Sequence, residues 1–221
     1  PVGGVDQLSS IEYVTATNFS DQLFGSEADE WFAPDALGDG TLNFSGSDTI
    51  DGRGGNDTVT YGNAKQTDDL LLTGIQADLV LGTVIDPAGN TDHLTNIENI
   101  SGSGFNDSII GDDQDNVLEG RAGNDTISGG DGNDTLNGGS GNDILTGGAG
   151  SDTFRFEAMS GADIITDFSI EEDVLQLFGE YGIVTSSLTE TYDTNGDVIF
   201  TTPDGFSITL QGVKEYNTFD G

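Results

Sequence analysis

Carboxylate side chains recur at a nine-residue spacing in residues 102–155, where six nonapeptides follow one another without a gap. Each nonapeptide begins with Gly, and its sixth residue is Asp in five of the six. The sixth residues are Asp107, Asn116, Asp125, Asp134, Asp143 and Asp152. Ca²⁺ is a hard cation that takes about six to eight oxygen ligands from carboxylates and backbone carbonyls. The spacing therefore predicts a row of calcium-binding loops.

Glycine and an apolar residue recur at fixed places around these carboxylates. Gly is frequent at positions 1, 2 and 4, where it would let the chain adopt positive φ and turn tightly, with carbonyls pointing inward. The last three residues predict a short strand whose middle side chain faces inward, because side chains alternate along a strand. These middle residues are Ile109, Leu118, Ile127, Leu136, Leu145 and Phe154. Each nonapeptide thus predicts one loop and one strand beside a thin core.

Two nonapeptides would complete one coil of 18 residues, so that the loops of repeats n and n+2 stack on the same edge. The pattern resembles G-G-x-G-x-D-x-U-x, the calcium-binding repeat of the RTX (repeats-in-toxin, hemolysin-type) family. The resemblance implies an all-β fold. It implies a right-handed parallel β-roll, a β-solenoid with calcium-binding nonapeptide turns and a C-terminal β cap.

The resemblance also implies which residues hold each of several Ca²⁺ ions. In the RTX family, loop n supplies the carbonyls of positions 2 and 4 and its Asp, and loop n+2 supplies the carbonyls of positions 1 and 3 and its Asp. Site I would use Arg121, Gly123, Asp125, Gly138, Ser140 and Asp143. Site II would use Gly130, Gly132, Asp134, Gly147, Ala149 and Asp152. Site III would use Ser103, Phe105, Asp107, Gly120, Ala122 and Asp125. A terminal site would combine Asp143 and Asp163 with Gly139 and Gly141.

One pairing of loops departs from the pattern. It would join Asp112, Gln114 and Asn116 to Gly129, Asp131 and Asp134. The Asn116 side chain offers an oxygen without a negative charge, so we expect this site to be weaker or empty. Phe105 and Gln114 also replace the position 4 glycine in their loops, which predicts a different loop geometry there.

A second copy of the repeat lies upstream, because residues 3–25 align with residues 89–111 at a constant offset of 86. The upstream nonapeptides are residues 16–24, 25–33, 43–51 and 52–60. Their sixth residues are Asp21, Glu30, Asp48 and Asp57, of which the three Asp residues are candidate calcium ligands. Their eighth residues are Leu23, Phe32, Ile50 and Val59. The alignment places Pro1 partway through a longer unit, so we expect another coil or domain to precede it.

These patterns divide the chain into four regions: a first RTX block (residues 1–60), a β-rich spacer that continues the solenoid (61–101), a second block (102–155) and a capping region with a secretion signal (156–221). In the spacer, Leu70–Leu72 and Leu79–Val84 predict short strands between turn residues. Leu94, Ile97 and Ile100 are expected to face inward. The last region predicts a strand at Ile164–Ile165 and a hairpin that protects the final coil, as solenoids require.

The excess of acidic residues limits the classes of binding partner and affects when the chain can fold. The sequence has 40 acidic and 5 basic residues and a formal net charge of −35 at pH 7, which disfavours binding to nucleic acid or anionic membranes. It has no Cys, and no stretch is long and apolar enough to span a membrane. Stacked carboxylates would repel one another without Ca²⁺, so we expect ion binding and folding to be coupled.

Other chemistry has little support in the sequence. The single histidine, His93, and the lack of Cys provide neither a Ser–His–Asp triad nor a zinc site. The loops are acidic and lack a Walker-type lysine, which argues against phosphate binding, and the eighth-position apolar residues argue against a flexible linker. Carboxylate pairs, as in glycosidases, are expected by chance among 40 acidic residues. Asp167 is a marginal ligand candidate on a solvated face of the cap.

The leading hypothesis is a noncatalytic calcium-binding module of a secreted bacterial protein. It would fold outside the cell, support export through a type I secretion apparatus and stabilise the domain that precedes it. One alternative is an adhesin or surface-layer segment that acts as an extender or binds glycan. Another is an accessory domain of a secreted protease, lipase or polysaccharide-modifying enzyme.

Overall fold

The fold is a two-sheet β-roll. The computed structural model describes residues 13–16, 19–34, 46–62, 73–157, 160–179, 182–183, 189–201 and 205–214. All regular secondary structure within these ranges is β-strand, which confirms the predicted all-β class. Among the described residues there is accordingly no helix that would cross a bilayer.

The strands, numbered in chain order, form two sheets. Sheet 1 contains, in spatial order, β1 (Tyr13–Thr15), β3 (Trp31–Ala33), β5 (Thr58–Thr60), β9 (Asn99–Ser101), β11 (Val117–Glu119), β13 (Thr135–Asn137), β15 (Thr153–Glu157), β17 (Val174–Gly179) and β18 (Gly182–Ile183). Sheet 2 contains β19 (Thr189–Tyr192), β20 (Asp197–Thr201), β21 (Ser207–Lys214), β16 (Ala162–Ile165), β14 (Ile144–Ala149), β12 (Thr126–Asp131), β10 (Ser108–Ile110), β6 (Gln76–Asp78), β7 (Thr83–Ile85), β8 (Thr91–Thr95), β4 (Thr49–Asp51) and β2 (Gln22–Phe24).

The chain alternates between the two sheets, and the repeat sets the register. In sheet 2, Ile109 pairs with Ile127 in parallel strands. In sheet 1, Leu118 pairs with Leu136, again in parallel. Both pairs are 18 residues apart, so two nonapeptides make one coil, as predicted.

The eighth residues of the nonapeptides form the core between the sheets. In residues 102–155 all six of them have an exposed fraction of 0%. They continue without a break into Phe32, Ile50 and Val59 of the upstream copy, within one hydrophobic cluster. Their neighbours at position 7 face outward, as Val117 (45% exposed) and Ile144 (42% exposed) show. The strand alternation predicted from the sequence is confirmed.

The spacer inserts two additional strands into sheet 2 alone. In sheet 1, β9 pairs in parallel with β5 and with β11, so this sheet is continuous. In sheet 2, β8 pairs with β4, but the antiparallel strands β6 and β7 lie between β8 and β10. The predicted inward residues Leu94, Ile97 and Ile100 are buried. The division into four regions remains a prediction.

One predicted strand in the spacer is wrong. Residues 79–82 form the turn between β6 and β7, with Gly82 at φ 63°, and the second strand starts only at Thr83. The apolar run from Leu79 to Val84 therefore includes a hairpin tip, where Val80 and Leu81 are more than two-thirds exposed at 70% and 72%. The other predicted strand, Leu70–Leu72, lies outside the described residues.

The C-terminal strands close one end of the roll. β16, which includes the predicted Ile164–Ile165, pairs in parallel with β14 and with β21. β20 and β21 form an antiparallel pair, and β19 adds to β20. Phe206, Ile208 and Leu210 are buried against the core. These strands form the predicted β cap on sheet 2.

The role of the eighth residues in the core can be tested with two matched variants. Leu136→Ala should lower the free energy of unfolding of the calcium-loaded protein by about 2–5 kcal/mol, because it leaves a cavity at a fully buried site. Val117→Ala, on the exposed face of the neighbouring strand, should cost less than about 1 kcal/mol. Urea unfolding in saturating Ca²⁺ measures both. Equal effects would show that the eighth position does not define the core.

Candidate calcium sites

The sixth residues of the repeats form two hydrogen-bonded columns, one on each edge of the roll. Edge 1 carries the loops that lead into sheet 2, and edge 2 carries those that lead into sheet 1. In each column a backbone N–H donates to a side-chain carboxylate of the next coil. On edge 1 these bonds run from Asp21 to Asp48 (2.8 Å), Asp48 to Asp92 (2.8 Å), Asp107 to Asp125 (2.8 Å), Asp125 to Asp143 (2.8 Å) and Asp143 to Asp163 (3.0 Å). On edge 2 they run from Glu30 to Asp57 (2.7 Å), Asp57 to Glu98 (2.8 Å), Asn116 to Asp134 (2.8 Å), Asp134 to Asp152 (2.9 Å) and Asp152 to Asp173 (2.9 Å).

Five of these carboxylates have a buried oxygen that accepts no hydrogen bond. The oxygen is Oδ2 of Asp57, Asp125, Asp134, Asp143 and Asp163. Each of these residues has an exposed fraction of 1% or less. A buried ionised oxygen without a partner is costly in free energy, so a bound cation would stabilise these oxygens.

In site I, Oδ2 of Asp125 lies beside a backbone carbonyl from the next coil. A Cβ built on Gly120 would collide with this oxygen and would lie 2.6 Å from the carbonyl oxygen of Gly138. Gly at position 1 therefore makes room for two oxygens. Gly120 and Gly138 are absent from the residues with positive φ. The prediction that position 1 needs positive φ is wrong, because the requirement there is space.

Positions 2 and 4 do use positive φ, and their carbonyls face the next coil. Gly139 has φ 94° and Gly141 has φ 140°, and Arg121 also has positive φ, at 77°. A Cβ on Gly139 would overlap the carbonyl oxygen of Arg121, and one on Gly141 would overlap that of Gly123. The carbonyls of loop n thus point into the gap between stacked loops, where the RTX resemblance places the ion.

The remaining predicted ligand of site I makes a hydrogen bond. The carbonyl of Ser140 accepts the N–H of Gly123 at 3.0 Å, and the carbonyl of Arg121 accepts the N–H of Ser140 at 2.8 Å. A carbonyl oxygen has a second lone pair, so neither bond prevents coordination of an ion. The structure brings all six predicted residues of site I together.

Site II repeats this arrangement, and the terminal site shares part of it. In site II, Oδ2 of Asp134 and the carbonyl of Gly147 meet at Gly129. The carbonyls of Gly130 and Gly132 face the next loop.

In the terminal site, the carbonyl of Gly141 faces Gly161, and Asp163 accepts the N–H of Asp143. Gly139 belongs to the same loop as Gly141. The residues present therefore fit Ca²⁺ at site I, at site II and at the terminal site.

Site III differs, because its own loop engages the carboxylate of Asp107. Oδ2 of Asp107 accepts the N–H of Ser103 at 2.6 Å, and Oδ1 accepts the Ser103 hydroxyl and the N–H of Ile75, both at 2.7 Å. Phe105 does not adopt positive φ. Its carbonyl still faces Gly123, in the loop that holds Ala122, and the Gly120 carbonyl lies near Gly102. Site III thus has the carbonyls, but both carboxylate oxygens of Asp107 already accept hydrogen bonds.

The pairing through Asn116 also has its side-chain oxygen engaged. Oδ1 of Asn116 accepts the N–H of Asp112 at 2.8 Å, and its amide donates to the carbonyl of Glu98. Gln114 does not adopt positive φ. These bonds satisfy the neutral amide, and the weaker or empty site stays a prediction.

The upstream columns contain two acidic residues that the sequence reasoning did not select. Asp48 stacks on Asp21 and is followed by Asp92, and Asp57 is followed by Glu98. Asp92 is buried and also accepts the hydroxyl of Tyr61 at 2.8 Å. The offset of 86 residues pairs Asp92 with Asp6 and Glu98 with Glu12, which was the available signal.

Backbone carbonyls are indispensable at these sites. Among the described residues, no three acidic, His or Cys side chains converge closely enough to hold a metal by themselves. His93 is exposed on β8. Asp167 accepts the N–H groups of Gly147 and Gly148 at 2.9 and 2.8 Å, so it caps a loop end. An ion held here would combine one or two carboxylates with carbonyls, which is typical of Ca²⁺.

Burial raises the pKa of nine Asp carboxyls in the columns from the ordinary value of 3.8. The pKa reaches about 7 for Asp48, Asp57, Asp125 and Asp163, and about 6 for Asp92 and Asp134. It is also raised by burial for Asp107, Asp143 and Asp152. Neighbouring carboxylates add to the increase, as Asp107 and Asp143 do for Asp125.

These pKa values predict the pH dependence of the calcium-free protein. A carboxyl whose pKa is raised in the folded state favours folding while it is protonated, and this contribution is lost as the pH rises from 3.8 through about 7. Protein stripped of Ca²⁺ on a chelating resin should therefore retain more strand structure, and resist heating better, at about pH 5 than at about pH 8. Saturating Ca²⁺ should reduce or reverse the difference, because protons compete with the ion. Thermal melts by circular dichroism measure this, and a calcium-free protein that is more stable at the higher pH would contradict it.

Comparison with known proteins identifies the repeats. A model of the RTX calcium-binding nonapeptide repeat family matches four copies, in residues 45–64, 95–127 and 119–154. The extracellular lipase LipA of Serratia marcescens matches 94% of this chain at 18% identity with a TM-score of 0.37, and the chain spans 39% of the lipase's length.

Two subunits of the Azotobacter vinelandii mannuronan C5-epimerase also match. AlgE6R3 shares 28% identity over 49% of this chain and 71% of its own length, with a TM-score of 0.40. AlgE6R2 shares 31% identity over 48% of this chain and 84% of its own length, with a TM-score of 0.33. From the matched repeats and the stacked loops that they form, the chain belongs to the RTX family of calcium-binding nonapeptide repeat proteins, and its repeats bind Ca²⁺.

Proposed function

We propose that this chain is a noncatalytic RTX module that folds when it binds Ca²⁺ outside the cell, supports type I secretion and stabilises the secreted protein to which it belongs. The observation that carries the proposal is the row of buried carboxylate oxygens without hydrogen-bond partners on both edges of the roll. These atoms make the folded state depend on a cation.

The size of the electrostatic cost supports coupled folding and binding. Successive coils place carboxylates roughly one strand spacing apart, about 4.8 Å. Two unit charges at this distance repel by about 3–4 kcal/mol at an effective dielectric constant near 20. A domain has a net stability of only about 5–15 kcal/mol, so a few such contacts would unfold it. Bound Ca²⁺ removes this repulsion, and its binding energy becomes folding energy.

The calcium concentration is lower in the cytosol than outside the cell, so folding coupled to calcium binding takes place after export. Extracellular calcium modules typically bind with dissociation constants of about 10⁻⁴–10⁻³ M. A chain with such affinity stays unfolded in a calcium-poor cytosol, in the state that a type I channel accepts, and folds on release. The formal net charge of −35 keeps the unfolded chain expanded until ions bind.

The described side chains also favour a noncatalytic role. The carboxylates of both columns accept hydrogen bonds from the preceding coil or from their own loop, where they organise the loops. Asp125 and Asp134 are buried between stacked coils. They offer no open face at which a substrate would meet a general acid and a general base. We therefore assign any enzymatic activity to other parts of the parent protein.

Circular dichroism during a calcium titration tests the proposal. The calcium-free chain at neutral pH should show a coil spectrum, and Ca²⁺ should convert it cooperatively to a β spectrum. Mg²⁺ should fail to do so, because it demands smaller octahedral geometry and retains its water. A strand-rich spectrum that survives exhaustive removal of calcium would refute calcium-dependent folding.

A pair of Asp variants tests whether the columns hold the ions. Asp125 is a predicted ligand in two sites, so Asp125→Asn should raise the Ca²⁺ concentration at the folding midpoint by roughly 10-fold or more, since even groups that only orient a ligand contribute about 10–100-fold. Asp113→Asn removes the same charge from an exposed side chain and should leave the midpoint nearly unchanged. Similar midpoints for both variants would show that Asp125 contributes only to the overall charge.

A further inference from the structure

The loop of the spacer coil occupies the place of a calcium loop, although it is shorter. We name β8, residues 96–98 and β9 the junction coil. Six residues, 52–57, connect β4 to β5, whereas only three connect β8 to β9. The N–H of Gly52 donates to the carbonyl of Thr95 at 3.0 Å, and in site I the N–H of Gly120 donates in the same way to Asn137. Asn96, which follows Thr95, therefore takes position 1 of the short loop.

Three oxygen-bearing residues meet between this loop and the upstream nonapeptide. Asp57 has an exposed fraction of 0%, and its Oδ2 accepts no hydrogen bond. A Cβ on Gly52 would collide with both this oxygen and the carbonyl oxygen of Asn96, so the two oxygens lie side by side. Glu98 accepts the N–H of Asp57 through Oε2 at 2.8 Å. The corresponding atoms in site I are Asp125 Oδ2, the Gly138 carbonyl and Asp143.

The residue types compensate for the missing length of the loop. A loop with three residues fewer reaches less far toward the edge, and Glu98 has one methylene more than the Asp at the usual position. Asn96 adopts φ 51°, a conformation that Asn tolerates better than most residues. Together these features bring the carboxylate and the carbonyl back to the positions that they occupy in site I.

The surroundings leave a path for an ion. A cavity of about 270 Å³ opens beside the loop, and Arg53, Asn96 and Glu98 are among its lining residues. The guanidinium of Arg53 stacks on the ring of Phe24, with its carbon 5.5 Å from the ring centre. The positive charge is thus held on the upstream coil by an aromatic contact.

We propose that Asp57, Asn96 and Glu98 form a further Ca²⁺ site that fastens the junction coil to the upstream nonapeptides. Asn96 and Glu98 lie outside the nonapeptides of both blocks, so the site replaces a nonapeptide loop with a shortened loop and a longer acidic side chain. Backbone carbonyls of residues 52–57 and water from the cavity complete the coordination. This inference rests on the proposed calcium-dependent folding.

The single tryptophan offers a local readout of this site. Trp31 pairs with Thr58, the neighbour of Asp57, in sheet 1. Tb³⁺ binds oxygen ligands in calcium sites and luminesces when a nearby excited indole transfers energy to it. Sites I and II involve coils well beyond the junction coil. Tb³⁺ emission excited through tryptophan therefore reports the upstream coils, which include the junction site, more strongly than sites I and II.

The experiment compares the full chain with two Gln variants. Glu98→Gln should weaken Tb³⁺ binding at the junction by roughly 10-fold or more, with loss of the tryptophan-sensitised emission at limiting Tb³⁺. Native mass spectrometry in Ca²⁺ should show one ion fewer than in the wild type. Glu119→Gln makes the same change on the neighbouring strand β11, where Glu119 accepts the Ser101 hydroxyl, and should leave both readouts unchanged.

Unchanged emission and ion count in Glu98→Gln would overturn the proposal. If that variant fails to reach the strand-rich state, Glu98→Asp provides the test, because it keeps the charge and shortens the side chain by one methylene. Reduced emission is expected there, and wild-type emission contradicts the site. The wild-type protein is the control. If it folds without Ca²⁺, the proposed function is refuted. If its folding depends on calcium but Glu98→Gln has the wild-type emission and ion count, only the junction site is refuted.

Discussion

The structure depends on the burial of carboxylate oxygens at a spacing of one strand. The same nine-residue period that stacks apolar side chains in the core stacks Asp107, Asp125 and Asp143 on one edge. The core receives one large side chain per nine residues, and so little apolar burial is a weak counterweight to the conformational entropy of the ordered chain. We propose that bound ions supply the remaining stabilisation. Folding and calcium binding would then be one equilibrium, with the same coupling at each coil of the second block.

Glycine serves two separate purposes in the loops, and both concern oxygen atoms. At position 1, as at Gly138, it leaves room for the carboxylate of its own repeat. At position 4, as at Gly141, it provides positive φ and lets the carbonyl of the previous coil approach. Arg121 shows that position 2 accepts a side chain at positive φ, at a cost of about 1–2 kcal/mol. The glycine positions thus mark the places where oxygen atoms converge.

The sequence was informative wherever the period holds and uninformative where it breaks. The 18-residue register and the inward eighth residues follow from spacing alone, whereas the residues of site I were predicted from the RTX resemblance. The hairpin tip at residues 79–82 was missed, because a short apolar run does not distinguish a strand from a turn. The satisfied state of Asp107 was also not predictable, since it depends on a Ser103 hydroxyl that folds back within the loop. Glu98 was missed because its role depends on the loop length that only the structure supplies.

The two edges are interrupted at the same level of the roll, although sheet 1 is not. On edge 1 the hairpin separates Asp92 from Asp107, whose Oδ1 accepts the N–H of Ile75. On edge 2, the neutral Asn116 takes the place of a carboxylate, and its amide donates to the backbone carbonyl of Glu98. The candidate sites therefore divide into an upstream and a downstream set. The parallel pairing of β9 with β5 and β11, and the core that it covers, is then the route by which order in one set stabilises the other.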